Sequence, residues 1–539
     1  FGSRTGCPPG TSMKGKSEPM GSLDCDAWAA AVARLAPSGN AGGAPPLEPG
    51  VCVRIGDFAF QVVGLLGEGS FGAVWSAVSG QRAGEVAIKE IICRSETELL
   101  RAATERHLLQ FVGRGGQAGD EDSPAVVASR RFPSLVASEV EALGPDLWQV
   151  RLAMSRLAGK PLESLLDNWC SQPLDDLTQI PMSVDQGGNL VDTSRCVRCM
   201  LQQLVPALEH LGTRAHHRDI TPRNILVEKK GSDYSFGLVD FGLAVDASKW
   251  KAELLTHDIG GDGHYWPTSS WFVLEYGAHH LGSYPALWQE YESCLDMHAL
   301  GVSALRCLME RWSPEAQGPD SASGSRQVAK LWRLRLAWTR FWDDIARFWQ
   351  PIFDAFACGG CNTLESLKSQ YAHAGVHHMV SANLCAVRAA LRELRAVADV
   401  QDLRVVCDAL LLLVRPGKLR DDSPTWQNVR IVLSGHSRTS PVVAERRSSD
   451  EGRRHWMSTN KEAPVHKAMS HSWVNDPRGW APASACCDAA ATPMASATAT
   501  QSTHSPAGSI WSSASVRSSQ LSPAGSAVLT KPAPLVRVG

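Results

Sequence analysis

The chain has 539 residues, enough for two or three domains, yet its Gly/Pro/Ala-rich start and Ser/Thr/Ala/Pro-rich end point to one large domain between disordered tails. Lys and Arg number 53 against 55 Asp and Glu, a formal net charge of −2, so neither a basic nucleic-acid-binding balance nor an acidic tail is indicated. The longest uninterrupted apolar run, Ala409 to Val414, is far too short to span a bilayer, and the start lacks the apolar core of a secretory signal. The chain opens Phe-Gly-Ser-Arg, so any targeting information upstream lies outside it; an intracellular setting is expected, cytoplasmic with nuclear as the alternative. Fifteen cysteines in so long a chain do not make a disulfide framework. Of the two C-x-x-C pairs, Cys196/Cys199 falls in a helical pattern and reads as buried thiols. Cys358/Cys361, a conceivable zinc or redox half-site, has no second pair nearby.

In chain order, residues 1–50 are expected to be disordered; Trp28, Val32 and Leu35 recur at helical spacing, but a docking helix there is not favoured. Regular structure is expected from Phe58, where Phe58, Phe60 and Val62 alternate before Gly67-Glu68-Gly69-Ser70-Phe71-Gly72-Ala73-Val74. This G-x-G-x-x-G-x-V lies between two strand-like runs, and its glycines would let backbone amides approach phosphates closely. Glu85-Val86-Ala87-Ile88-Lys89 follows as a strand, and Ser95–Val112 is helical by pattern, with Leu99, Leu100, Ala103, His107, Leu108 and Phe111 on one face. A polar loop (113–124), strands near Ser134–Ser138 and Trp148–Met154, and a helix from Leu162 to Trp169 come next. Ser171–Thr193 reads as an insertion, and a helix over Arg195–Leu211 leads to His217.

The stretch from His216 to Gly242 carries the chemistry. His217-Arg218-Asp219 is followed five residues on by Asn224, and later by Asp240-Phe241-Gly242. Ile225–Val227 and Gly237–Val239 read as a hairpin about Lys230–Asp233, which would bring Asn224 beside Asp240. A carboxylate, a carboxamide and a second carboxylate so arranged suit phosphoryl transfer: one to orient a hydroxyl, two hard oxygen donors to hold Mg2+.

With glycine loop, V-A-I-K strand, H-R-D loop and D-F-G in that order, residues 58 to about 310 resemble a eukaryotic protein kinase. The resemblance implies an α+β, two-lobed protein-kinase fold, with a small β-rich N-lobe (58–155) and a large, mostly helical C-lobe (156–434) carrying insertions at 171–193 and 268–295. Residues 435–539 would form a disordered tail. It further implies transfer of the γ-phosphate of Mg2+·ATP to a protein hydroxyl, Ser/Thr favoured over Tyr, with Asp219, Lys89, Asn224 and Arg223 catalytic and Asn224 and Asp240 holding Mg2+. Gly67, Gly69, Gly72, Val74, Ala87, Lys89, Glu105 and Met154 would line the nucleotide site. Glu105 is chosen over Glu96 and Glu98 for its distance from Lys89, and Met154 opens the hinge Met154–Gly159. A protein substrate is expected and no nucleic-acid partner; oligomeric state is not legible.

The chain departs from that pattern in three places. The lysine that follows the catalytic Asp by two in Ser/Thr kinases is Thr221, and Arg223 stands where one class of tyrosine kinases carries an arginine that could serve the γ-phosphate in its place. Gly261-Asp262-Gly263-His264-Tyr265-Trp266-Pro267 has Asp262 where a threonine is usual, which suggests a Thr221–Asp262 hydrogen bond, and no glutamate follows the proline. Asp296-Met297-His298-Ala299-Leu300-Gly301, similar to the family's lobe anchor, comes late, after an aromatic-rich stretch that packs as core or lines a peptide groove. Arg218 marks kinases switched by phosphorylation, with Ser248, Thr256 and Thr268–Ser270 as candidate sites. These departures keep two alternatives open, a pseudokinase scaffold and a small-molecule kinase of related fold.

After a linker (Ser313–Arg326) comes Trp332, then Trp338, Trp342, Ile345 and Trp349 at helical i, i+4, i+7, i+11, which read as core packing. Helices over Ala386–Val397 and Leu403–Val414, then Ser423–Trp426, close the domain near residue 434. In the tail, Ser440, Thr492, Ser505 and Ser522 precede proline, and Arg446–Asp450 offers basic-flanked serines suited to phosphorylation.

Overall fold

The computed structural model describes residues 32, 47–69, 72–80, 84–114, 124–170, 186–255, 259–312, 326–357, 371, 374–417 and 424–435. The N-terminal part is an antiparallel sheet built from β1 (Cys52–Ile55), β2 (Phe58–Gly69), β3 (Gly72–Val78), β4 (Glu85–Cys93), β5 (Leu135–Gly144) and β6 (Leu147–Ser155), in the order β1-β2-β3-β4-β6-β5. Helix α1 (Glu96–Arg114) packs on one face, and a short helix, α2 (Pro124–Ser129), precedes β5. Strand β4 shows how the sequence sorts the two faces. With a period of two, Val86 and Ile88 join Phe60, Val62, Ala77 and Ala153 in one core, while Ala87, Ile91 and Cys93 join Leu99, Leu108 and Leu152 in the other. Lys89 shares parity with Ala87 and Ile91, so an ammonium is carried into the interior on the side of α1.

The C-terminal part is helical. It opens with β7 (Lys160–Pro161) and α3 (Leu162–Cys170), then α4 (Gln186–Leu211), whose Val197, Leu201, Leu204, Leu208 and Leu211 are buried. Strands β8 (Ala215–His216), β9 (Ile225–Lys230), β10 (Asp233–Leu238) and β11 (Val245–Asp246) form two small sheets, β10-β9-β7 and β11-β8. They are followed by α5 (Ala247–Glu253), a 3-10 turn at Gly263–Tyr265, α6 (Thr268–Tyr276), α7 (Pro285–Ser293) and α8 (Leu295–Arg311). Four longer-range helices complete it: α9 (Arg326–Ala357), α10 (Val376–Val397), α11 (Gln401–Leu413) and α12 (Trp426–Leu433). The last begins with a capping box in which Thr425 and Asn428 satisfy each other's backbone. Among the described residues no helix is long and apolar enough to cross a membrane.

Several boundaries differ from those read in the sequence. The sheet begins at Cys52 rather than Phe58, because β1 pairs with β2 through the tight turn at Gly56-Asp57. The expected insertion at 171–193 ends earlier, since α4 starts at Gln186; residues 171–185 lie outside the described residues. The aromatic-rich stretch 268–295 is core: Trp271, Phe272 and Tyr291 are buried, and Tyr284 alone of these is half exposed. The expected disorder over 1–50 does not hold at its end, where Leu47 is buried in the sheet core and Gly50 N donates to Val62 O at 2.8 Å, nor at Val32, which is helical and buried in the main core. The proline-directed serines and the tail that carries them lie outside the described residues.

Candidate active site

Lys89 sits mid-strand, paired with Val74 on one side and Leu152 on the other, and is 4% exposed. Its Nζ donates to Glu105 Oε1 and Oε2 at 2.8 and 2.9 Å, and to Asp240 Oδ1, 151 residues later, at 2.7 Å. Burial alone would depress the ammonium, but the two carboxylates outweigh it and hold Lys89 above its ordinary range. Glu105 reaches the lysine because α1 turns it to the same inner face as Ala102, Leu108 and Leu109.

The second half of the site is a loop between two strand pairs. Strand β8 pairs with β11, and Asp296, in the first turn of α8, accepts from His217 N and Arg218 N at 2.8 Å each. Those two bonds hold Arg218 at a left-handed φ of 65° and turn Asp219 toward the cleft. Asn224 Nδ2 donates to Asp219 Oδ2 at 2.8 Å and to its carbonyl at 2.9 Å, which fixes the carboxylate. The β9–β10 hairpin pairs Ile225 with Leu238, and Val239 N donates to Asn224 O at 2.9 Å, so Asn224 and Asp240 stand side by side as expected. Asp240 adopts φ of 70° and accepts from Gly242 N at 3.1 Å. Phe241, 1% exposed, anchors this turn against Phe132 and His217.

The two carboxylates are pushed apart electrostatically. Burial would raise Asp240, but the Lys89 ammonium and the Gly242 amide hold it below the usual range. Burial, with the charges of Asp240 and Asp262 beside it, pushes Asp219 up to about 7 against the pull of Asn224 and Arg223. One carboxylate is thereby kept ionised and the other poised to exchange a proton near neutral pH.

The glycine hairpin covers the approach to Lys89. Gly67 pairs with Val74, Gly69 with Gly72, and Val74 with Lys89. Gly72 holds φ of 130°, and a Cβ there would lie 1.9 Å from Glu90 O, so no other residue fits. Ala87 pairs with Met154 across β4 and β6, both at 8% exposure, beside the expected hinge.

Four expectations need correction. Arg223 is not held for a phosphate alone: its Nε donates to Glu163 Oε2 at 2.8 Å, while its charge pulls Asp219 downward. No Thr221–Asp262 hydrogen bond forms among the described residues, because Asp262 Oδ1 caps the next turn. It accepts from His264 N at 3.0 Å and lies 2.8 Å from His264 Nδ1. Thr268, Ser269 and Ser270 are not accessible phosphorylation sites, being buried at 2%, 0% and 3%. Thr256 lies outside the described residues, while Ser248 donates through N and Oγ to Asp246 Oδ1, the N-cap of α5. Finally, Cys196 is buried as expected but Cys199 only half so, and Arg311 Nη1 lies 2.8 Å from Cys196 Sγ; Cys358 and Cys361 lie outside the described residues.

Among the described residues no group of three or more His, Cys, Asp and Glu could hold a metal by itself. Asn224 and Asp240 nonetheless suit a hard divalent cation that takes its remaining ligands from phosphate and water. Asn224 spends its amide nitrogen on Asp219 and Asp240 spends Oδ1 on Lys89, which leaves an oxygen of each for the cation. Sequence reading missed Glu163, whose claim on Arg223 spans 60 residues, and Asp262 as a source of charge on Asp219; nothing local in sequence signals either.

No protein-family model matches the chain, and no curated protein matches it.

Proposed function

We propose that the chain is a protein kinase of two-lobed fold, transferring the γ-phosphate of Mg2+·ATP to a protein hydroxyl, Ser or Thr favoured. One observation carries this: Lys89 bridges Glu105 and Asp240 at 2.7–2.9 Å, and Asp240 lies close enough for its charge to act on Asp219, which Asn224 orients. On this reading the sheet is the N-lobe, the helices from α3 onward the C-lobe, and Met154 to Gly159 the hinge. Lys89 would orient the α- and β-phosphates, and its own orientation is set by Glu105. Mg2+ bound by Asn224 and Asp240 would neutralise charge on the phosphate oxygens. Asp219, titrating about 7, would accept the acceptor hydroxyl's proton as that oxygen attacks the γ-phosphorus and the bond to the β-bridging oxygen breaks.

A second reading, a nucleotide-binding scaffold without transfer, has one observation in its favour: Arg223, the expected substitute for the missing lysine, is bonded to Glu163. The test is incorporation of label from γ-labelled ATP into the chain and a generic protein substrate. Wild type should label and Asp219→Asn should not. Equal labelling by Lys89→Ala and wild type would end the kinase reading, and no labelling by wild type with intact Mg2+·ATP stabilisation would favour the scaffold. Phosphoamino-acid analysis of the product then reads the acceptor.

A further inference from the structure

The loop from Gly260 to Trp266 lies against Arg218 and Asp219. Gly261 holds φ of 87°, and a Cβ there would lie 2.5 Å from Arg218 O and 3.4 Å from Asp219 Oδ1. The loop closes on itself: Trp266 Nε1 donates to Gly260 O at 2.9 Å, and Tyr265 N to Asp262 O at 2.9 Å. Three of its first four residues are glycine, which makes it costly to order, so packing from outside must add to these internal bonds.

Helix α9 supplies that order. The His264 ring stacks on Trp342 with centroids 4.5 Å apart, and Trp266 meets Trp349 edge-on at 4.9 Å. Gly263 lies so close to Trp349 that a Cβ would come within 2.6 Å of the indole. Arg306, over the Trp342 ring at 5.0 Å, donates to the Tyr265 hydroxyl at 2.8 Å. Aromatic pairs at these separations are favourable beyond the area they bury, and the indoles are wedged against backbone that no side chain cushions. Arg218, the residue that a phosphorylated segment would otherwise engage, already lies over Trp250 at 5.2 Å.

Resting on the phosphotransfer reading above, we propose that Trp342 and Trp349 are positioning residues for Asp219. They hold the 260–266 loop in its working shape by packing, so that the site is competent without phosphorylation of that segment. Trp349→Ala should lower kcat about tenfold or more while leaving the KM for Mg2+·ATP within about twofold, since the shift falls on the acceptor side alone. Trp349→Phe should recover most of it. Gly263→Ala should mimic Trp349→Ala, and the double variant should be no worse than either single one, because each relieves the other's crowding. Treatment of wild type with a protein phosphatase, checked by mass spectrometry, should leave activity within about twofold. Hydrogen exchange supplies a readout independent of activity: the Tyr265 and Trp266 amides should be protected in dephosphorylated wild type and exchange faster in Trp349→Ala. Loss of activity on dephosphorylation, full kcat in both Trp342→Ala and Trp349→Ala, or unchanged exchange in Trp349→Ala would overturn the proposal. Full labelling by Asp219→Asn would instead overturn the phosphotransfer reading, whatever the exchange data show.

Discussion

Lys89 and Glu105 form a buried pair, and removing one member should do more damage than removing both. Lys89→Met leaves the 2%-exposed Glu105 facing Asp240 without its cation, so a loss of about 3–5 kcal/mol is expected by urea titration. Lys89→Met with Glu105→Leu should regain most of that stability and none of the labelling, which separates structural from chemical need. Asp262 sets a second residue-scale expectation. Its charge helps to lift Asp219, so under the proposed phosphotransfer kcat/KM should rise with pH through about 7 in wild type, and Asp262→Asn should move that acid limb to lower pH. An unshifted limb would mean that Asp262 does not tune the base. At this scale the sequence singled out Lys89, Asp219, Asn224 and Asp240 because each sits in a short motif, and Glu105 by its spacing from Lys89. It could not show where Arg223 turns, since the choice lies with Glu163 on a distant helix, nor that Asp262 would spend its oxygen on its own turn.

Among the elements, the β2–β3 hairpin offers a clean contrast between glycines. A Cβ at Gly69 would meet nothing within 4 Å, whereas at Gly72 it would collide with Glu90 O at 1.9 Å in a backbone that L-residues avoid. Without nucleotide, Gly72→Ala should lower stability by about 1–3 kcal/mol and Gly69→Ala should not, as read by thermal unfolding. Equal effects would mean that the hairpin relaxes around the added methyl. Strands β2 to β6 and helices α1, α9 and α11 were legible because each alternates or repeats over several residues, whereas the eight-residue α12 was not read as a helix. Strand β1 was not: four residues with Arg54 among them give too short an alternation, and only pairing with β2 makes it regular. The early start of α4 was hidden for the opposite reason, since Gln186-Gly187-Gly188 reads as loop until the helix behind it continues through.

Across the whole molecule, the helical core carries a latent acid sensitivity at His298. Its ring is 1% exposed, neither nitrogen has a hydrogen-bond partner among the described residues, and burial depresses it to about 3. The unfolded ring takes up its proton near 6.5 and the folded one only near 3, so stability is fully present above 6.5 and falls as pH drops below it. Between pH 7.5 and 5 the loss should approach about 2 kcal/mol. His298→Leu should flatten that slope in urea titrations; an unchanged slope would place the acid sensitivity elsewhere. The mixed α+β character of the chain was legible from its strand-then-helix order. The packing of α9 against the loop beside Asp219 was not, because aromatic spacing shows that a helix has a buried face but not what lies beneath it.

The 151 residues between Lys89 and Asp240 have a consequence for a chain made from its N-terminus. At ordinary synthesis rates the lysine precedes its distant partner by about ten to thirty seconds. Glu105, only 16 residues away, is at hand throughout that interval. The newborn sheet can therefore settle as a charge-balanced unit while the ribosome is still supplying the rest of the cleft, and the late arrival of Asp240 adds a second anion to a cation that is already housed.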